Sequence, residues 1–137
     1  MNRREFVSVL AAAAVVPAAA MATTGTAYTP GLVERELAAG KTVFLDFYTS
    51  WCSTCASQER TINALKAEFP AYAEAVTFIA VDWDQHSRSD LAKRLAIPRR
   101  STLVVLKGDQ ELGRIVAGTR REDIKALMDT ALTAATS

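Results

Sequence analysis

Thr42-Val43-Phe44-Leu45-Asp46-Phe47-Tyr48-Thr49-Ser50-Trp51-Cys52-Ser53-Thr54-Cys55 is the stretch from which the rest of the chain is read. Its first seven residues are β-branched, aromatic or aliphatic apart from Asp46, a run short enough for a buried strand. The only two cysteines of the chain follow at once, spaced C-x-x-C. Ile62, Leu65 and Phe69 then fall at helical spacing from Cys55, and Pro70 is placed to stop that helix. The cysteines therefore stand at a strand-to-helix junction, with Cys52 at or just before the helix start. Unsatisfied N–H groups and the positive end of the helix dipole stabilise a thiolate there, which makes Cys52 the natural nucleophile. Cys55, one turn inward, is placed to attack a mixed disulfide on Cys52 and release a reduced substrate. A disulfide kept for stability normally closes a longer loop, because stabilisation grows with loop length.

Outward from this centre, Thr29 is expected as the N-cap of a helix with Pro30 in its first position, Leu32, Val33 and Leu37 on its apolar face, and Gly40 closing it. Ala75 to Asp82 is expected as a second buried strand, and Ser89 to Leu95 as a short helix. Thr102 to Leu106 forms a third strand, and Lys107-Gly108-Asp109-Gln110 has turn composition. Glu111 to Ala117 returns as a fourth strand by hairpin. Thr119 and Glu122 form a T-x-x-E capping box that opens a last helix with Ile124, Leu127, Met128 and Leu132 inward, and the tail beyond Leu132 is expected to fray. The order is a βαβ crossover followed by a hairpin and a helix. An α/β fold with about four strands in a mixed sheet and helices on both faces satisfies it.

The N-terminus reads differently. Eight alanines fall within residues 1–22, with Phe6, Val7, Val9, Leu10, Val15 and Val16 among them, and Arg3 and Arg4 come before them. A charged start, an apolar middle too short to span a membrane and a small-residue end make a secretory signal, with the cut expected after Ala22. Arg3-Arg4-Glu5-Phe6-Val7 resembles the twin-arginine export signal, the alternative being an ordinary secretory signal that begins with two arginines. The remainder, residues 23–137, is expected to be a single soluble domain of the periplasm. The whole chain has 16 basic and 15 acidic residues; without Arg3, Arg4 and Glu5 the domain carries 14 of each. A neutral domain has no electrostatic footprint for nucleic acid. Export into oxidising surroundings and a lone C-x-x-C together point to redox chemistry. A zinc site needs further ligands, and with no third cysteine and His86 as the only histidine it would have to be shared between subunits.

With these residues in hand, the chain resembles the thioredoxin superfamily over residues 30–134. The likeness rests on the apolar strand, the W-C-x-x-C that follows it, and Asp46 six residues before Cys52. The resemblance implies a thiol-disulfide oxidoreductase that works on protein disulfides by dithiol-disulfide exchange, with no cofactor and as a monomer. It implies that Asp46 is the buried acid that exchanges a proton with Cys55, in keeping with a carboxyl whose pKa rises on desolvation. It also implies that Trp51 flanks the thiols and contacts partners. Likeness to the soluble domain of membrane disulfide reductases makes a membrane electron donor a further expected partner.

Three departures from the family pattern stand out. The proline that usually precedes the third strand in cis is matched by Ser101, which places a hydroxyl beside Cys52. The lysine that often partners the buried acid is matched by Ala80. The dipeptide between the cysteines is Ser53-Thr54 and supplies no histidine to lower a thiol pKa, which leans toward a reductase or mid-range potential over a strong oxidant. Arg99 and Arg100 flank the Ser101 loop; Arg100, with Trp51 and Ser101, is expected to meet the substrate. Asp82 and Asp84 read as ordinary acids at a strand end, and His86 as a surface loop histidine with no role. The rival expectation is a metal handler in which Cys52, Cys55 and Ser101 form an open site for copper(I) or a bridged iron–sulfur cluster. A structural module with an inert disulfide is the third.

Overall fold

The fold is taken from a computed structural model that describes residues 24–137; the expected signal, residues 1–22, lies outside the described residues. At its centre is β2 (Thr42–Tyr48), buried along all but its last residue. It pairs in parallel with β3 (Thr77–Asp82) and antiparallel with β4 (Thr102–Lys107), and β4 turns back into β5 (Gln110–Val116). The parallel β2–β3 pair is the βαβ crossover and the antiparallel β4–β5 pair is the hairpin, since a parallel partner needs a crossover and an antiparallel one does not.

The sheet has five strands, not about four. A two-residue β1 (Thr26–Ala27) lies parallel beside β3 and gives the order β1-β3-β2-β4-β5. A run this short carries no periodicity, so only its neighbour defines it. Gly25 lets it approach, because a Cβ there would stand 2.2 Å from the Phe78 carbonyl oxygen.

The helices are α1 (Leu32–Ala38), α2 (Ser53–Glu68), α3 (Ala71–Ala75), α4 (Trp83–His86), α5 (Asp90–Arg94) and α6 (Arg121–Thr136). None of them is long and apolar enough to cross a membrane. Successive side chains of a strand point to opposite faces. Val43, Leu45 and Phe47 accordingly pack with Val33, Ile79 and Leu91 on one side, and Phe44 packs with Ile62, Leu65, Ile124 and Met128 on the other. Each fully buried side chain of this kind contributes about 1.5–3 kcal/mol. By the same alternation Asp46 shares the face of Phe44, the face covered by α2 and α6.

Several boundaries differ from expectation for local reasons. Thr29 does not cap α1. The Thr29 carbonyl accepts the Leu32 N–H at 3.0 Å across Pro30 and Gly31, and Gly31 has φ +89°, so Pro-Gly makes a tight turn and the helix begins after it. Pro70 ends α2 and also opens α3, which buries Tyr72. The T-x-x-E box does not form: α6 is preceded by Arg120, whose guanidinium takes the Glu122 carboxylate at 2.6 Å. The C-terminal tail does not fray. Lys107 donates from β4 to the Ala134 carbonyl, and Ala135 packs against the core.

Candidate active site

Cys52 is the N-cap residue of α2, in extended conformation (φ −94°, ψ 117°), and its sulfur accepts the Cys55 N–H at 3.1 Å. An extended residue ends the strand-loop segment here, and its side chain takes one of the amide donors that the first helical turn leaves free. Both thiols are free and buried. Burial alone pushes the Cys52 thiol up; hydrogen bonds with the Cys55 thiol, the Ser101 hydroxyl, the Cys55 amide and the Arg100 side chain outweigh it and lower it to about 6. Cys55 moves the other way, raised first by burial and then by its hydrogen bond with Cys52. At neutral pH the pair is thus one thiolate and one thiol. The missing histidine in Ser53-Thr54 is made good from outside the motif, by Ser101 and Arg100.

Ser101 lies under both sulfurs, its Oγ 3.2 Å from Cys52 Sγ and 3.0 Å from Cys55 Sγ. It is fully buried and has φ +65°. Its N–H donates to the Phe47 carbonyl at 2.7 Å, and its carbonyl accepts from the Ala117 N–H at 2.8 Å. Proline has no N–H and a φ fixed near −65°, so it fits neither feature. The loop is shaped for serine, and no described peptide bond is cis.

Gln58 completes this arrangement and was not foreseen. Its side chain is fully buried, and Nε2 donates to the carbonyls of Ser101 at 3.0 Å and Gly118 at 2.9 Å. One amide thereby ties α2 to the loops before β4 and after β5. The signal for it was present: Cys55, Gln58, Ile62 and Leu65 form one buried stripe of α2, and Gln58 is its one amide.

Asp46 is buried on β2. Its Oδ2 accepts the Thr24 hydroxyl at 2.9 Å, and its Oδ1 has no hydrogen-bond partner. Burial raises it to about 7 against the opposing pull of the Thr24 hydrogen bond, with the charges of Glu59 and Cys52 adding to the rise. Ala80 stands directly opposite it in the β2–β3 register. A lysine is present by another route: Lys66 of α2 donates to the Thr24 carbonyl at 2.7 Å and lies 4.4 Å from the Phe78 ring centre.

Trp51 is 62% exposed beside the buried thiols, so it is not a core residue. Its indole N–H donates to the Asp84 carboxylate at 2.9 Å, and the Arg100 guanidinium lies 4.4 Å from its ring centre. Asp82 accepts the Asp84 N–H at 2.9 Å and opens α4, so the two acids at the strand end hold the tryptophan in place. His86 packs edge-on against Tyr28, with 4.9 Å between ring centres. Arg99 donates to the Arg100 carbonyl at 2.9 Å. Among the described residues, no group of three or more His, Cys, Asp or Glu side chains is arranged to hold a metal ion.

The thioredoxin family model matches residues 26–130. The chloroplastic F-type thioredoxin of Pisum sativum is 36% identical over 93 residues, which cover 68% of this chain and 48% of that one. The H-type thioredoxin of Fagopyrum esculentum is 33% identical over 85 residues, covering 62% and 67%. The chain spans about half the length of the chloroplastic relatives it matches. Among solved structures, Trxlp from Edwardsiella tarda EIB202 superposes with a TM-score of 0.63 at 26% identity, over 73% of this chain and 94% of that one.

Proposed function

The chain belongs to the thioredoxin family, and from that premise we infer that it is a thiol-disulfide oxidoreductase that reduces protein disulfides outside the cytoplasm. The observation that carries this is the geometry at the C-x-x-C, where Cys52 caps α2 and accepts the Cys55 N–H at 3.1 Å while Ser101 Oγ lies 3.2 Å from its sulfur, an arrangement that favours a thiolate on Cys52 and leaves Cys55 a thiol. The Cys52 thiolate attacks one sulfur of the substrate disulfide, forms a mixed disulfide and expels the first substrate thiolate. Cys55 gives up its proton to Asp46 and attacks Cys52 Sγ, which expels the second substrate sulfur and leaves a Cys52–Cys55 disulfide. Two electrons pass to the substrate, and a membrane dithiol donor returns them.

A thiol brought to about 6 lies between an ordinary cysteine, near 8.5, and the ~3.5 of the strongest oxidants, which supports a reductase or mid-range potential. Exposed Trp51 and the Arg100 beside it are the surface that a substrate would meet. Export and the periplasm rest on residues 1–22. The purified protein is expected to reduce insulin disulfides as a monomer. Cys52→Ser should abolish exchange, and Cys55→Ser should trap the mixed disulfide on Cys52. No exchange by the parent protein overturns the reading. A copper or iron–sulfur site on Cys52, Cys55 and Ser101 draws on the same short triangle of contacts, and stoichiometric metal after reducing purification would put it in place of exchange. A reporter fused behind residues 1–22 should leave the cytoplasm, and Arg3→Lys with Arg4→Lys should stop it if the twin-arginine route is used.

A further inference from the structure

We propose that the Ser101 hydroxyl is a proton carrier between the two cysteines and the departing substrate sulfur, and that Gln58 is the positioning residue that holds it there; the proposal rests on the exchange reading above. A hydroxyl has one donor and two acceptor lone pairs, so it can accept from one sulfur while donating to the other. Ser101 Oγ is within hydrogen-bond reach of both, at 3.2 and 3.0 Å, in a position closed to water. With Cys52 as thiolate, the serine donates to Cys52 Sγ, and its lone pairs lie within reach of Cys55 Sγ, whose single S–H turns to them once Cys52 is bonded to substrate and no longer accepts it. That is a continuous chain from the proton that must leave to the sulfur where the substrate is joined.

Once Cys52 is bonded to substrate its sulfur no longer holds the negative charge, and the serine proton is free to turn to the sulfur being expelled. The Cys55 S–H bond breaks as its proton passes to Ser101 Oγ, and the original serine proton passes to the leaving sulfur. The Cys55–Cys52 S–S bond forms while the Cys52–substrate S–S bond breaks. The products are the Cys52–Cys55 disulfide and a neutral substrate thiol, with the serine unchanged. This direct path runs beside the one through Asp46, which takes the Cys55 proton from the β2 side in the turnovers where it does not pass to the leaving sulfur.

The backbone around Ser101 is built for this placement. Its N–H and carbonyl are both engaged, on Phe47 and Ala117, and Gln58 adds a second donor to the same carbonyl. The hydroxyl is thus the one polar part of Ser101 left to the sulfurs. Gln58 sits one turn after Cys55 on the same helix, so it fixes the loop relative to the thiols themselves.

The test follows single-turnover formation and decay of the mixed disulfide with a small aromatic disulfide, in the parent protein and in Ser101→Ala, Ser101→Gly and Gln58→Met. Loss of the hydroxyl is expected to slow decay at least about tenfold, equal to about 1.4 kcal/mol, and more than it slows formation. Decay in the parent should slow in heavy water, and that sensitivity should shrink in Ser101→Ala. Gln58→Met should fall between parent and Ala. Equal slowing in Ala and Gly assigns the effect to the hydroxyl; slowing in only one assigns it to the backbone at φ +65° and overturns the proposal. Unchanged decay in both folded variants also overturns it and leaves the exchange reading standing. A parent that forms no mixed disulfide at all defeats the exchange reading itself.

Discussion

Thr24 donates its hydroxyl to the Asp46 carboxylate at 2.9 Å, from a position before the first strand and 22 residues away in sequence. The same residue offers its carbonyl to Lys66, so this short segment connects the buried acid to a cation. In this chain the buried acid, with Ala80 opposite it on β3, takes its one side-chain hydrogen bond from a threonine of the N-terminal edge.

Thr24→Val is expected to raise Asp46 further above about 7, because the bond it removes is the one that favours the ionised form. The Asp46-dependent part of the exchange rate should move to higher pH. Titration of the carboxyl by NMR in the oxidised protein checks the shift. An unchanged midpoint would show that the Thr24 hydroxyl does not act on Asp46.

Asp46→Asn should stabilise the fold in a pH-dependent way. The carboxyl is raised from 3.8 to about 7, so between these values the folded state binds more protons than the unfolded one and stability falls as pH rises. The full cost of holding a buried carboxylate is reached above about 7, on the order of 4 kcal/mol for a shift of this size. Asparagine keeps the shape and removes the charge. Its melting-temperature gain should be several degrees at alkaline pH and vanish near pH 4 (about the unfolded value), while exchange slows. A gain that does not vary with pH would contradict this account.

The division between what sequence could and could not supply follows from the range of each interaction. β2, the position of the cysteines and the βαβ-hairpin order were legible because each depends on residues close together in the chain. Thr42–Tyr48 was read with its bounds unchanged. β1 and α4 were invisible because a two-residue strand and a four-residue helix have no period to detect. The T-x-x-E box misled because Arg120, between Thr119 and Glu122, competes for the carboxylate. Cys52, Cys55, Trp51, Arg100, Ser101 and Asp46 were all nameable, but the partners that tune them are distant in sequence. Gln58 left a trace, as an amide in a buried stripe; Asp84 was visible only as an acid at a strand end, and Thr24 left none.

Alkylation of Cys52 should report a thiolate with a half-point near pH 6. The rate should rise through that pH and level off well below the range of an ordinary thiol. A depressed thiol pKa also stabilises the reduced fold, with the contribution fully present above 9.0 and lost as pH falls to about 6. Comparing reduced and oxidised protein by denaturant midpoint isolates it, since the disulfide form has no titrating thiol. A difference between the two forms that stays constant over this range would remove the case for a native thiolate.

Arg100 and Arg99 are adjacent in sequence, yet only Arg100 reaches the site. Arg100 is among the groups that lower the Cys52 thiol, it lies over the Trp51 ring, and its Nε is buried with no partner. Arg99 is turned onto the Arg100 carbonyl. Arg100→Ala should therefore raise the alkylation half-point of Cys52 and loosen Trp51, seen as a change in tryptophan fluorescence with the redox state of the pair. Arg99→Ala should leave the half-point where it is. The cation–π contact adds about 0.5–1 kcal/mol at an exposed ring, so the loss of Arg100 should cost little stability. Were charge near the thiols acting only at long range, the two substitutions would shift the half-point alike, and salt would screen both; a short-range action of Arg100 on Cys52 predicts unequal shifts that persist at high salt.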